Sequence, residues 1–157
     1  MITRNRTRIV VACAALLIPA VAGAMVPPTT GSPQPAPPAA AGRPMVVIDE
    51  RSTAREEPTP HGAIGRSTAF RISDAVPGRT MEFRKRILHP GSAIGAHVIA
   101  HDEVYYVLDG SGEVFSGRDR KPLTPGMAAY LFSGENVGIK QTGAKPLTLI
   151  VAYPVVK

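Results

Sequence analysis

The chain has 157 residues and a formal net charge of +6, a length that suits one domain. Much of the charge is not spread over a fold: Arg4, Arg6 and Arg8 open the chain, and no acidic residue precedes Asp49. Without residues 1–24 there are 15 basic and 12 acidic side chains. With no basic cluster interleaved with aromatics, that balance excludes a case for nucleic acid.

Residues 1–24 read as a targeting segment. The three arginines precede an apolar run over residues 9–22, and Ala22-Gly23-Ala24 supplies the small residues of a cleavage site. The run is short for a bilayer span, and Pro27-Pro28 follows it. An uncleaved N-terminal anchor is the alternative, and the only route by which the chain would touch a membrane. The expected location is secreted or periplasmic. Cys13 is the only cysteine. Too few apolar residues precede it for a lipoprotein signal, so it belongs to the interior of the targeting segment. The processed chain is then expected to have no disulfide and no thiolate chemistry.

Residues 25–44 are mostly Pro, Ala, Gly, Ser and Thr, with a single charge at Arg43 and seven prolines. Missing donors, fixed φ and the lack of bulky side chains make this a semi-extended tether. The folded domain is expected over residues 45–157. Short apolar or alternating runs occur at 45–48, 69–72, 81–88, 92–99, 103–108, 112–115, 128–132, 137–141 and 147–156. Turn signals separate them, among them Pro77-Gly78, His89-Pro90-Gly91, Asp109-Gly110, Pro125-Gly126 and Ser133-Gly134. This punctuation predicts an all-β jelly roll or barrel, with at most a turn of helix near residues 73–76. In the run 81–88, Arg84 and Arg86 share one face. A solvated face is expected there, with a subunit contact or attraction for an anionic ligand as the alternatives.

The segment Gly91-Ser-Ala-Ile-Gly-Ala-His97-Val-Ile99-Ala-His101-Asp-Glu103-Val-Tyr105-Tyr-Val107-Leu-Asp-Gly110 resembles the first signature of the cupin superfamily, Gly-x5-His-x-His-x3-Glu-x6-Gly. Gly91, His97, Glu103 and Gly110 match it, and Ile99 replaces the second histidine. After fifteen intervening residues the second signature, Gly-x5-Pro-x-Gly-x2-His-x3-Asn, is met by Gly126 and Gly134. Phe132 stands for its proline, Val137 for its histidine and Gln141 for its asparagine. The resemblance spans about residues 81–153 and implies a double-stranded β-helix, the jelly-roll barrel of cupins, with turn glycines at positive φ.

In cupins the motif histidines and glutamate imply a divalent transition metal such as Mn, Fe, Ni or Zn. Ile99 and Val137 cannot coordinate one, so His97 and Glu103 would hold it weakly if at all, and His101 is the candidate replacement. No cofactor is the other expectation. His61, between Pro60 and Gly62, reads as a surface loop residue, and His89 as turn-proximal. In a barrel, Glu103, Tyr105 and Val107 should face inward, with Val104, Tyr106 and Leu108 outward. Ile99, Val107, Val137, Ile139 and Gln141 are then expected to line a largely apolar pocket.

Three functions follow as alternatives. The first is an exported small-molecule-binding module with no assignable reaction, in which the His97–Glu103 pair is a hydrogen-bonded structural contact. The second is a metal-dependent oxygenase or decarboxylase using His97, Glu103 and His101. The third is a metal-free isomerase or epimerase using His97, Glu103 and Tyr105 as the acid–base set. A small-molecule ligand is the expected partner, with pairing of outer strands in a homodimer as a further expectation.

Overall fold

The computed structural model describes residues 42–155. The expected targeting segment, Cys13 and most of the expected tether lie outside the described residues. Among the described residues, ten strands form two antiparallel sheets. They are β1 (Ala54–Pro58), β2 (Arg66–Phe70), β3 (Met81–Leu88), β4 (Ala93–Val98), β5 (Glu103–Asp109), β6 (Ser111–Ser116), β7 (Asp119–Leu123), β8 (Ala128–Leu131), β9 (Asn136–Thr142) and β10 (Leu147–Pro154). One sheet has the order β1-β2-β3-β10-β5-β8 and the other β4-β9-β6-β7. The jelly-roll barrel expected from the sequence is the fold.

Alternation places the core between the sheets. Leu88, Val107, Val137, Ile139, Leu147 and Leu149 are fully buried there, each contributing roughly 1.5–3 kcal/mol by leaving water. Val104, Tyr106 and Leu108 point outward, as expected. The motif glycines Gly91, Gly110, Gly126 and Gly134 all have positive φ. At Gly110 a side chain would also run into the Pro146 carbonyl, which explains why that turn demands glycine.

Three expectations change. Residues 45–48 form no strand; Met45 and Val47 are exposed, with nothing to pack against. The polar strands β1 and β7 were not visible as runs, because each lies at a sheet edge and is exposed at four of its five positions. The helical turn near residues 73–76 is a short 3-10 turn, Ile72–Ala75.

One irregularity positions the site. In β4 the register with β9 shifts between Ile94 and His97, the mark of a β-bulge. A bulge reverses which side chains face inward. Ile94 faces inward before it, and His97 and Ile99 face the same cavity after it.

Candidate functional site

A cavity of about 380 Å³ opens at one end of the barrel. Strand β3 contributes Arg84 and Arg86, β4 and the turn after it His97, Ile99 and His101, β5 Glu103 and Tyr105, and β10 Val151 and Tyr153. The loop joining β1 to β2 adds Pro60 and His61. Arg84 lies opposite Val151 in the β3–β10 register, and Val151 opposite Tyr105 in the β10–β5 register. Adjacent strands thereby align these side chains across one floor.

The arginines do not form the solvated face expected of them. Their strand is inverted: Glu82 and Arg86 are buried while Met81 and Phe83 are exposed. Burial is sustained by pairing, because an isolated interior charge would cost far more than a compensated one. Arg86 donates to Ser67 at 2.6 Å and Glu57 at 2.9 Å. Arg84 donates to Glu82 at 3.0 Å and approaches Asp74 at 3.6 Å. Burial alone would raise the Glu82 carboxyl, but hydrogen bonds from Ser73, Arg79 and Arg84 hold it below its usual range. Glu57 is likewise lowered against its burial by bonds from Arg71 and Arg86.

Glu103 behaves in the opposite way. It is 6% exposed, and its Oε2 lies 3.7 Å from the His101 Nε2. Burial pushes its carboxyl up to about 7, with the Tyr105 hydroxyl and the Arg84 charge opposing only in part. Near neutral pH it is therefore divided between acid and carboxylate. Tyr105 is raised well above the usual phenol range, chiefly by burial and then by the Glu103 charge, so it stays a hydrogen-bond donor.

His97 is not bonded to Glu103. Its Nδ1 lies 2.9 Å from the Gly95 carbonyl oxygen. A carbonyl only accepts, so Nδ1 carries a proton, and in the neutral ring the lone pair is on Nε2. The ring also stacks on His61, with centroids 3.6 Å apart and planes 7° from parallel. His101 stacks on Tyr153 at 4.3 Å, and its buried Nε2 has no hydrogen-bond partner.

The expected pocket residues separate into two groups. Ile99 lines the cavity with His97, His101, Glu103 and Tyr105. Val107, Val137 and Ile139 instead belong to the packed core, because the facing sheet fills the space beneath them. Gln141 is used structurally: its Oε1 accepts from the Gly91 backbone at 2.9 Å, and its Nε2 donates to the carbonyls of Thr142, Gly143 and Lys145. His61 moves from an expected surface loop into the site. Its signal in the sequence was weak, since only the flanking proline and glycine marked an unusual backbone.

The residues present do not fit the metal of the cupin motif. Ile99 and Val137 occupy two of the four ligand positions and are buried in the apolar cluster. His97 is turned to Gly95 and His61. Among the described residues, no three His, Cys, Asp or Glu side chains converge as a metal-binding group.

The sandwich, its glycine-marked turns and its cavity at the barrel mouth define a cupin-type protein. Residues 85–153 match the family model of the cupin domain, and the chain carries a cupin domain. No curated protein matches it. Among solved structures it is similar to a predicted oxalate decarboxylase from Thermotoga maritima, with TM-score 0.63, 23% identity, and 71% of this chain and 100% of that one covered. A cupin 2 conserved barrel domain protein from Rhodopseudomonas palustris gives TM-score 0.57, 13% identity, and coverage of 66% and 73%. A sugar phosphate isomerase of a cupin superfamily from Silicibacter pomeroyi gives TM-score 0.52 and 19% identity, with 57% and 60% covered. At these identities the likeness is one of fold.

Proposed function

We propose that this cupin domain binds a small polar organic molecule in the cavity between His61, Glu103 and Tyr153, without a metal at the motif positions. The observation that carries this reading is the buried Glu103 carboxyl, lifted to about 7 at the wall of a 380 Å³ cavity. A few polar groups set in a mostly apolar concavity of this size are the usual make-up of a small-molecule site. The half-protonated carboxyl and the Tyr105 phenol offer a donor–acceptor pair to a ligand carbonyl or hydroxyl. The solved relatives are described as a decarboxylase and as an isomerase, so the shared fold does not choose between chemistries.

Proton transfer is the second reading, favoured by the His97 tautomer. His97, whose neutral ring would keep its lone pair on Nε2, lines a cavity that also holds an acid, Glu103. That arrangement suits removal and return of a proton on a bound ligand without a metal. Export to the periplasm or beyond is part of the proposal and rests on the basic, then apolar, first 24 residues.

The test is a screen of small sugars, keto acids and hydroxy acids, read by NMR shifts of the labelled full chain. Binding should move the signals of Ile99, His101, Tyr105 and Tyr153 together. A ligand whose shifts map instead to the apolar cleft between β7 and β8, around Leu123 and Met127, would contradict the assignment.

A further inference from the structure

The outer face of the larger sheet is apolar, and nothing among the described residues covers it. Side chains that alternate away from the core form two rows across the strands. In the first, Phe83, Ala152, Val104 and Tyr130 stand opposite one another in the registers of β3, β10, β5 and β8. In the second, Phe70, Lys85, Ile150, Tyr106 and Ala128 do the same from β2 to β8. Phe83, Tyr106 and Tyr130 are 42%, 40% and 57% exposed. Between Met81, Pro154 and Tyr130 the face dips into a groove of about 410 Å³.

The apolar run at residues 45–48 belongs to the same surface. Arg43 lies against Gly78, ahead of β3, and Glu50 forms an ion pair with Lys85 on the face. The segment between them therefore borders the face along β3, where Met45 and Val47 project into solvent. A run that forms no strand and finds no core is accounted for if a second surface meets it.

Charge decides what that second surface is. The rows hold one ionic side chain, Lys85, and it is satisfied by Glu50 and by the Phe70 ring, whose centroid lies 4.0 Å from its Nζ. Asp102, at the groove, accepts from the Tyr130 hydroxyl at 2.6 Å and the Ser133 backbone at 2.9 Å. These rows offer no free cation to an anionic membrane, and no field to steer a partner of opposite charge. A neutral, apolar face fits best a surface of its own kind, and a two-fold axis brings such a face onto itself. The sheet edges β1 and β7 suit self-association less, because each is an exposed strand with charges and a proline, which oppose strand pairing.

Size agrees. Six strands about 4.8 Å apart, each showing about 17 Å of length, make a face of roughly 500 Å² before side-chain relief is counted. A stable dimer buries about 800 Å² of accessible surface per partner, which this face approaches together with its border at Met45 and Val47. Monomers seldom leave contiguous apolar surface beyond a few hundred Å² uncovered.

We infer that the chain forms a two-fold dimer by packing the outer faces of two larger sheets together, with Tyr106 and Ile150 near the centre. Sheets stack face to face in this way, about 10 Å apart, inside single domains. The dimer goes beyond the ligand reading and stands independently of it, yet it reaches the same site. Tyr153 lines both the groove and the ligand cavity, so the second copy abuts one wall of that cavity.

Sedimentation velocity of the full chain, from low to high micromolar concentration, tests this. The parent should sediment as a dimer. Tyr106→Glu and Phe83→Lys should each weaken association at least about a hundredfold, the size of losing a central aromatic anchor. Both side chains reach solvent in the single chain, so Tm and the dispersion of amide signals should be kept. Met127→Glu, in the apolar cleft between β7 and β8, is the control and should remain dimeric. A parent that is monomeric throughout overturns the inference; if Tyr106 then shows NMR contacts with residues before Gly42, that part of the chain is what covers the face. A dimer that both face variants leave intact, or that only Met127→Glu dissociates, overturns it too. Ligand binding in the cavity is read separately, and none of these outcomes decides it.

Discussion

Glu103 and Gln141 show how one motif can assign its polar residues to different ends. Gln141, at the asparagine position of the second signature, has its amide occupied by four backbone groups of neighbouring turns. It secures the barrel and has nothing left for a ligand. Glu103 has no such set of bonds, and its burial appears instead as a raised pKa. Stability should report this. Below pH 4.5 the carboxyl is protonated both folded and unfolded. Between pH 4.5 and about 7 the unfolded chain ionises first, so stability falls as pH rises, and above about 7 the loss is constant. After allowance for solvent screening the effect is on the order of 2 kcal/mol. Glu103→Gln should flatten the dependence of Tm on pH over this window and should be at least as stable as the parent at pH 8. A parent whose stability rises from pH 5 to pH 8, with the same slope in the variant, would contradict a buried, weakly compensated acid.

At the scale of elements, the site is made by the bulge in β4 and the loop that crosses it. Gly95→Ala should displace residues 59–65, because the new Cβ would occupy the space of the His61 carbonyl. The expected result is loss of the upfield ring-current shifts of the His61 and His97 protons and a lower Tm, with the sheet signals of β9 and β10 retained. Unchanged imidazole shifts would show that the loop is not held by this contact. The same elements mark the limit of what could be read from sequence. β3, β5 and β9 were legible because one face of each is buried, and alternation records that. β1 and β7 were hidden because an edge strand with both faces wet carries no alternation. Arg84 and Arg86 misled for a related reason: their face is interior, and the partners that make the burial of Arg86 tolerable, Ser67 and Glu57, lie 19 and 29 positions away in sequence.

Across the whole molecule, the fold was readable from glycines at fixed intervals, since each marks a turn that other residues resist. The site was only partly readable. Ile99 and Val137 announced the lost ligands, but a pocket depends on which inward residues are covered by the opposite sheet. All four are buried, but Ile99 lies at the cavity wall, whereas Val107, Val137 and Ile139 lie away from it in the packed core. His61 could not be placed, because its contact with His97 spans 36 positions of sequence and depends on a loop in which His61 itself has positive φ. The proposed picture is a cupin barrel whose cavity, lined by imidazoles, phenols and an acid, serves hydrogen bonding with a ligand rather than closure around an ion.

Metal content of the purified full-length chain, set beside its ligand binding before and after chelation, tests that picture most directly. The account predicts transition metal well below one ion per chain and ligand binding that chelation leaves unchanged. One Mn, Fe, Ni or Zn per chain, lost together with binding in His97→Ala and Glu103→Ala, would contradict it.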